Sequence, residues 1–150
     1  MIIVSACLTG IKCKYSGGHN LVESIYKLVQ DGRAVPVCPE ELGGLPTPRN
    51  PAEIIGGAGA DVLSGKARVV DCAGQDVTEE FIIGARKVLE LARRVGAVRA
   101  ILKERSPSCG CSMIYDGSFQ QKKRPGAGVT TALLRLNGIE VRSEEELGKT

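Results

Sequence analysis

Short apolar runs rich in β-branched residues, at 2–6, 34–38 and 98–102, alternate along this chain with longer stretches of helical periodicity. Runs of that length read as strands buried on both faces. Strands separated by helices pair in parallel, because a parallel connection needs a crossover of a dozen or more residues. The helical stretches are explicit. Leu21, Ile25, Leu28 and Val29 recur at helical spacing after Asn20, a capping residue, and stop at Gly32. Thr78 reads as the N-cap of the strongest helix, with Glu79 and Glu80 in its first turn. Phe81, Ala85, Val88, Leu89, Ala92 and Val95 form its apolar stripe, and Gly96 ends it. Val129, Leu133, Leu134 and Leu136 mark a third helix, stopped at Asn137-Gly138. A strand at 139–141 follows, then a capping box from Ser143 and Glu146 that opens a last short helix.

The expectation is therefore an α/β fold, an open and mostly parallel sheet with helices on both faces, Rossmann-like in architecture. No repeat, linker or charge block divides residues 1–150, so one domain is expected. Residues 39–65 are dense in Pro and Gly and read as a long, mostly irregular segment. Loops of that length in compact domains are usually functional. Residues 66–77, with Gly74 at the turn, read as a hairpin, and residues 106–125 as a second loop-rich region.

Composition narrows the class. With no Trp and only 3% aromatic residues, the core must be built from aliphatic side chains. No apolar run approaches the ~20 residues of a membrane helix. Met1-Ile2-Ile3-Val4-Ser5 carries no charged leader, so no signal peptide and a cytoplasmic location are expected. A net charge of +3 does not argue for nucleic acid. The cluster Lys122-Lys123-Arg124 reads as a solvated loop before an anion site.

Cysteine carries the chemistry. Six are present, Cys7, Cys13, Cys38, Cys72, Cys109 and Cys111, against a single His19 that reads as a turn residue. In a reducing compartment such a set points to metal or catalysis before disulfides. Cys72, in a largely apolar run, reads as a small core residue. Cys7, Cys38 and Cys109 lie at or just beyond the ends of the three short strands, and ligands of open α/β sheets bind outside the carboxyl ends of strands. A shared metal or cluster site then stands against scattered core thiols. Thiolates without imidazole favour iron–sulfur over catalytic zinc. Cys38-Pro39 and Ser106-Pro107-Ser108-Cys109-Gly110 put two of these thiols in stiff turns.

The blocks Val4-Ser5-Ala6-Cys7-Leu8 through Cys13-Lys14-Tyr15, Cys38-Pro39-Glu40-Glu41-Leu42-Gly43-Gly44-Leu45 and Pro48-Arg49 resemble, in order, those of one bacterial family. So do Asp76-Val77-Thr78, Phe81, Gly84-Ala85, Ser106-Pro107-Ser108-Cys109-Gly110, Ile114-Tyr115-Asp116-Gly117 and Gly126-Ala127-Gly128-Val129. This is the family named for thiouracil desulfidase, formerly a domain of unknown function. The resemblance covers nearly the whole chain. It implies a cubane 4Fe–4S cluster on Cys7, Cys38 and Cys109, with a fourth iron free of protein ligands. It also implies acid–base and polar roles for Glu40 and Ser106. Glu41 is the natural rival of Glu40. Two departures stand out: Thr9 where Leu is commoner, and Cys111, an extra thiol two residues past Cys109.

The expected activity is non-redox removal of sulfur from a thiouracil-type pyrimidine, a small base or nucleoside, giving the oxo-base and hydrosulfide. Nucleic acid is disfavoured, with thiolated tRNA left open. Tyr115 and Phe119 suit either stacking on a base or the core. The chief alternative is a non-catalytic iron–sulfur or zinc module closed by a fourth cysteine, Cys13 or Cys111. A nucleotide-binding domain has little support, since Gly57-Ala58-Gly59 and Gly126-Ala127-Gly128 complete no dinucleotide fingerprint.

Overall fold

A computed structural model describes residues 1–147. Four parallel strands form the main sheet in the order β2-β1-β5-β8, with β1 spanning Ile2–Ser5, β2 Ala34–Val37, β5 Arg99–Leu102 and β8 Glu140–Ser143. Helices cover both faces, as the alternation of strands and helical stretches requires. Along β1 successive side chains point to opposite sides. Ile3 packs with Val88, Leu89 and Ala92 of α4 (Thr78–Val95) and with Leu134 of α5 (Val129–Leu136). Val4 packs on the other side with Ile25 of α1 (Glu23–Gln30). Each such fully buried aliphatic side chain contributes roughly 1.5–3 kcal/mol. The expected stripe on α4 is buried from Phe81 to Ala92, and Gly96 ends the helix with φ +69°.

Two helix starts differ from the expected caps. Asn20 does not cap α1, whose N-cap is Val22; its side chain turns to Cys7 instead. Thr78 lies inside α4, and its hydroxyl accepts the Val69 N–H while Asp76 accepts the Thr78 N–H.

Residues 39–65 are more ordered than their Pro and Gly content implies. They hold α2 (Pro39–Leu42), β3 (Ala52–Ile55) and α3 (Gly59–Leu63). Pro39 sits at the first helical position, where its missing N–H costs nothing. The strand β4 (Arg68–Asp71) pairs antiparallel with β3, and a bridge between Val70 and Asp76 joins it to the residues beyond its own turn. The 106–125 region contains a short hairpin, β6 (Met113–Tyr115) with β7 (Lys123–Pro125). After β8 the Ser143–Glu146 capping box forms on one short 3-10 turn, Glu144–Glu146, which ends at Leu147 in extended conformation. Among the described residues, no helix is long and apolar enough to cross a membrane.

Two close backbone contacts position the segments that matter for the site. Helix α2 meets α4 through Gly43 and Gly84, where an added Cβ would lie 2.0 Å from the Glu80 and Pro39 carbonyl oxygens respectively. At Gly128, before α5, a Cβ would lie 2.5 Å from the Ser108 carbonyl carbon. Only glycine permits these approaches.

Candidate active site

Strands β2, β1 and β5 are neighbours, so their carboxyl ends lie side by side, about 4.8 Å apart from one strand to the next. Cys7 lies in the 3-10 turn Ala6–Thr9 that continues β1, Cys38 is the N-cap of α2 after β2, and Cys109 lies in the loop after β5. Three residues far apart in sequence therefore reach one pocket of about 1220 Å³, which Glu40, Arg49 and Ser106 also line. The pocket is larger than the ~300–1,000 Å³ usual for a small-molecule site.

A fourth thiol joins them. Cys13, 3% exposed, lines the same pocket and hydrogen-bonds with both Cys38 and Cys7, which pushes its own pKa well up. Its hydrogen bond draws Cys7 down to about 7 against the cost of burial, helped by Asn20, whose amide nitrogen is 3.7 Å from the Cys7 sulfur. Burial raises Cys109, and the negative charge of Glu40 adds to that. Among the described residues no three His, Cys, Asp or Glu side chains are gathered so as to hold a single metal ion. The thiols share a pocket without closing on one point.

Cys111 lies elsewhere, whereas Cys72 lines the same pocket from an exposed position. Cys111 is buried among Leu102, Leu134 and other core residues, with its sulfur toward the Cys109 and Leu102 carbonyl oxygens, and burial pushes its pKa up to about 12. It does not line the pocket. Cys72, expected in the core, is exposed, because it follows the last residue of β4 and opens the turn that Asp71 caps through the Ala73 and Gln75 N–H groups.

Glu40, on α2, is 9% exposed and faces the thiols: its Oε2 is 3.5 Å from the Cys38 sulfur and 3.6 Å from Arg49 Nη2. Its Oε1 accepts a hydrogen bond from the Ser108 hydroxyl. Glu41 is exposed and accepts from Thr47. One helical step thus separates a carboxylate in the pocket from one outside it. Ser106 lines the pocket. Its Oγ lies 2.9 Å from Ser108 Oγ and accepts from the Ser108 and Cys109 backbone N–H groups at 3.2 and 3.1 Å. The result is a chain of polar atoms, Ser106 to Ser108 to Glu40 to Arg49.

Three of these residues escaped the sequence reading. Ser108, fully buried, looked like a turn residue, although its spacing from Ser106 was a signal. Arg49 donates to the Cys13 carbonyl oxygen at 3.0 Å and to Thr47 Oγ1 at 2.9 Å, tying the Cys13 loop to the Glu40 helix. In the sequence it stands out only within the Pro48-Arg49 block, with no role attached. Glu104, 5% exposed, accepts from the backbone N–H groups of Cys111, Ser112 and Met113 and from the Ser112 hydroxyl, at 2.8–3.2 Å. Burial alone would raise its pKa, but those donors outweigh burial and hold it at about 2. The Cys109 loop is folded around this one carboxylate.

Known proteins share this sequence and this fold. Residues 2–146 match the family described as 2-thiouracil desulfurase. The YbbK protein of Bacillus subtilis (strain 168) is 55% identical over 147 residues, covering 98% of this chain and 97% of that protein. A solved structure titled as the 4Fe–4S-dependent thiouracil desulfidase TudS is 45% identical, with a TM-score of 0.87. The match covers 99% of this chain and 93% of that one.

Proposed function

Because the chain belongs to the 2-thiouracil desulfurase family, we propose that it removes sulfur from a small thiolated pyrimidine at a 4Fe–4S cluster held by Cys7, Cys38 and Cys109. One observation carries this reading: thiols from three neighbouring strand ends share a pocket with a buried carboxylate. The donor set fits the group. Thiolates with no imidazole among them suit iron–sulfur, and the pocket has room for an inorganic core and a flat ring together. When bound, such a cluster supplies an iron without a protein ligand, a soft Lewis-acid position for a thiocarbonyl sulfur.

The protein's own groups supply the rest. Water must add at the ring carbon, and hydrosulfide must leave. The carbon keeps its oxidation state, so no electron donor is consumed. Glu40 Oε2, the oxygen nearer the thiols, takes a proton from the attacking water. Arg49 opposite Oε2 and Ser108 on Oε1 hold the carboxylate in place. The Ser108 and Ser106 hydroxyls pass a proton toward the substrate nitrogen or orient the water.

Anaerobically reconstituted protein given 2- or 4-thiouracil is expected to release sulfide and the oxo-base in equal amounts, and Cys7→Ala and Glu40→Ala to release neither. No sulfide from bases, nucleosides or thiolated tRNA would refute the enzymatic reading. A second reading has one observation in its favour. Cys13 lies against Cys7 and Cys38, where a fourth thiolate would close a non-catalytic cluster. Under the desulfidase reading Cys13→Ser keeps its iron and its activity.

A further inference from the structure

The chain has three Tyr and two Phe, and four of these five side chains, Tyr15, Phe81, Tyr115 and Phe119, line the pocket that the thiols enter. Phe81 belongs to the core at 2% exposure, whereas Phe119 belongs to no core cluster and is 37% exposed. Its backbone is unusual. Phe119 has φ +57° and Gln121 +60°, in a hairpin tip that also contains Gly117 at +91°. Bulky residues rarely occupy this left-handed region, which costs on the order of 1–2 kcal/mol for each residue.

The surrounding structure holds the tip there. Glu53 Oε1, on β3, accepts the N–H groups of Gly117 at 2.9 Å and Phe119 at 3.3 Å. Gly117 lies so close to β3 that a Cβ would be 2.6 Å from the Ile54 carbonyl oxygen. Asp116 Oδ1 accepts from both the backbone and the hydroxyl of Ser118. A strained conformation held this firmly around a half-exposed ring does nothing for the core. It points to a ligand.

We infer that Phe119 is a specificity-determining residue whose ring stacks on the pyrimidine, and that Glu53 is the positioning residue that fixes it. The inference rests on the desulfidase reading and deepens it. Stacking reads the flat face of a ring and not its substituents, so 2- and 4-thiouracil gain alike from Phe119. The contact is present before and during the reaction, so it acts on binding rather than on the chemical step.

The test uses the cluster-loaded protein, with iron and acid-labile sulfide measured in every variant. Phe119→Ala is expected to raise KM for both thiouracils about tenfold, or about 1.4 kcal/mol, with kcat within about twofold. It is expected to weaken binding of the unreactive product uracil, read by calorimetry, by the same factor. Phe119→Tyr should behave as wild type. Glu53→Gln should raise KM several-fold, and should add nothing when placed on Phe119→Ala, because it acts through that ring. A KM and a uracil affinity within about twofold of wild type in Phe119→Ala would overturn the inference while leaving the desulfidase reading intact. An undiminished Glu53→Gln effect on the Phe119→Ala background would overturn the role of Glu53. Wild-type protein that releases no sulfide would remove both readings.

Discussion

Glu104→Gln isolates the device that shapes the Cys109 loop. The wild-type carboxylate is 5% exposed and takes hydrogen bonds from four backbone N–H groups, those of Arg105, Cys111, Ser112 and Met113, and from the Ser112 hydroxyl, and its pKa is held at about 2 against an ordinary 4.5. At 1.36 kcal/mol for each pH unit, that lowering is worth about 3 kcal/mol at neutral pH. The amide resembles the protonated acid, so the variant should lose about that much. Because the folded value lies below the unfolded one, the contribution is fully present above pH 4.5 and disappears as pH falls toward about 2. Urea unfolding of the metal-free protein, followed by circular dichroism, should therefore show a gap of about 3 kcal/mol at pH 7 that narrows by about pH 3. The reconstituted variant should also hold less iron, since Cys109 lies in the loop that Glu104 organises. A gap below about 1 kcal/mol at pH 7, or one equally large at both pH values, would refute the reasoning.

Other perturbations separate the roles of neighbouring residues. Gly84→Ala puts a methyl 2.0 Å from the Pro39 carbonyl oxygen and should cost at least about 2 kcal/mol in urea unfolding, displacing α2 and lowering activity with it. Cys111→Ala should lower stability by roughly 1 kcal/mol but leave iron content and sulfide release unchanged, because its thiol faces the core. Glu40→Gln should slow sulfide release about a hundredfold or more, while Glu41→Gln, whose partner is Thr47 at the surface, should stay within about twofold.

The architecture was legible because each strand and helix states its own period. Ile3 and Val4 point to opposite cores as an alternating strand must, and the Phe81-to-Ala92 stripe is buried as a helical face must be. Residues 39–65 misled because Pro and Gly there mark single positions, the first turn of α2 and the close contact at Gly43, rather than a lack of structure. The strand ends made Cys7, Cys38 and Cys109 candidates for one site, against the alternative of scattered core thiols, and all three line one pocket. Cys13 could not be assigned that way, because it arrives on a loop held by Arg49 from 36 residues away. Glu104 was hidden for a related reason. Its partners are mostly backbone N–H groups, at Arg105 and residues 111–113, and no side-chain pattern announces those. Cys72 shows the converse: an apolar run predicted burial, but the strand ends one residue before it.

An iron anomalous difference map from crystals grown without oxygen tests the central claim most directly. The account expects four iron peaks in the pocket, three of them bonded to the sulfurs of Cys7, Cys38 and Cys109 and the fourth to no protein atom. A fourth iron bonded to Cys13, or a single metal peak in place of four, would contradict it.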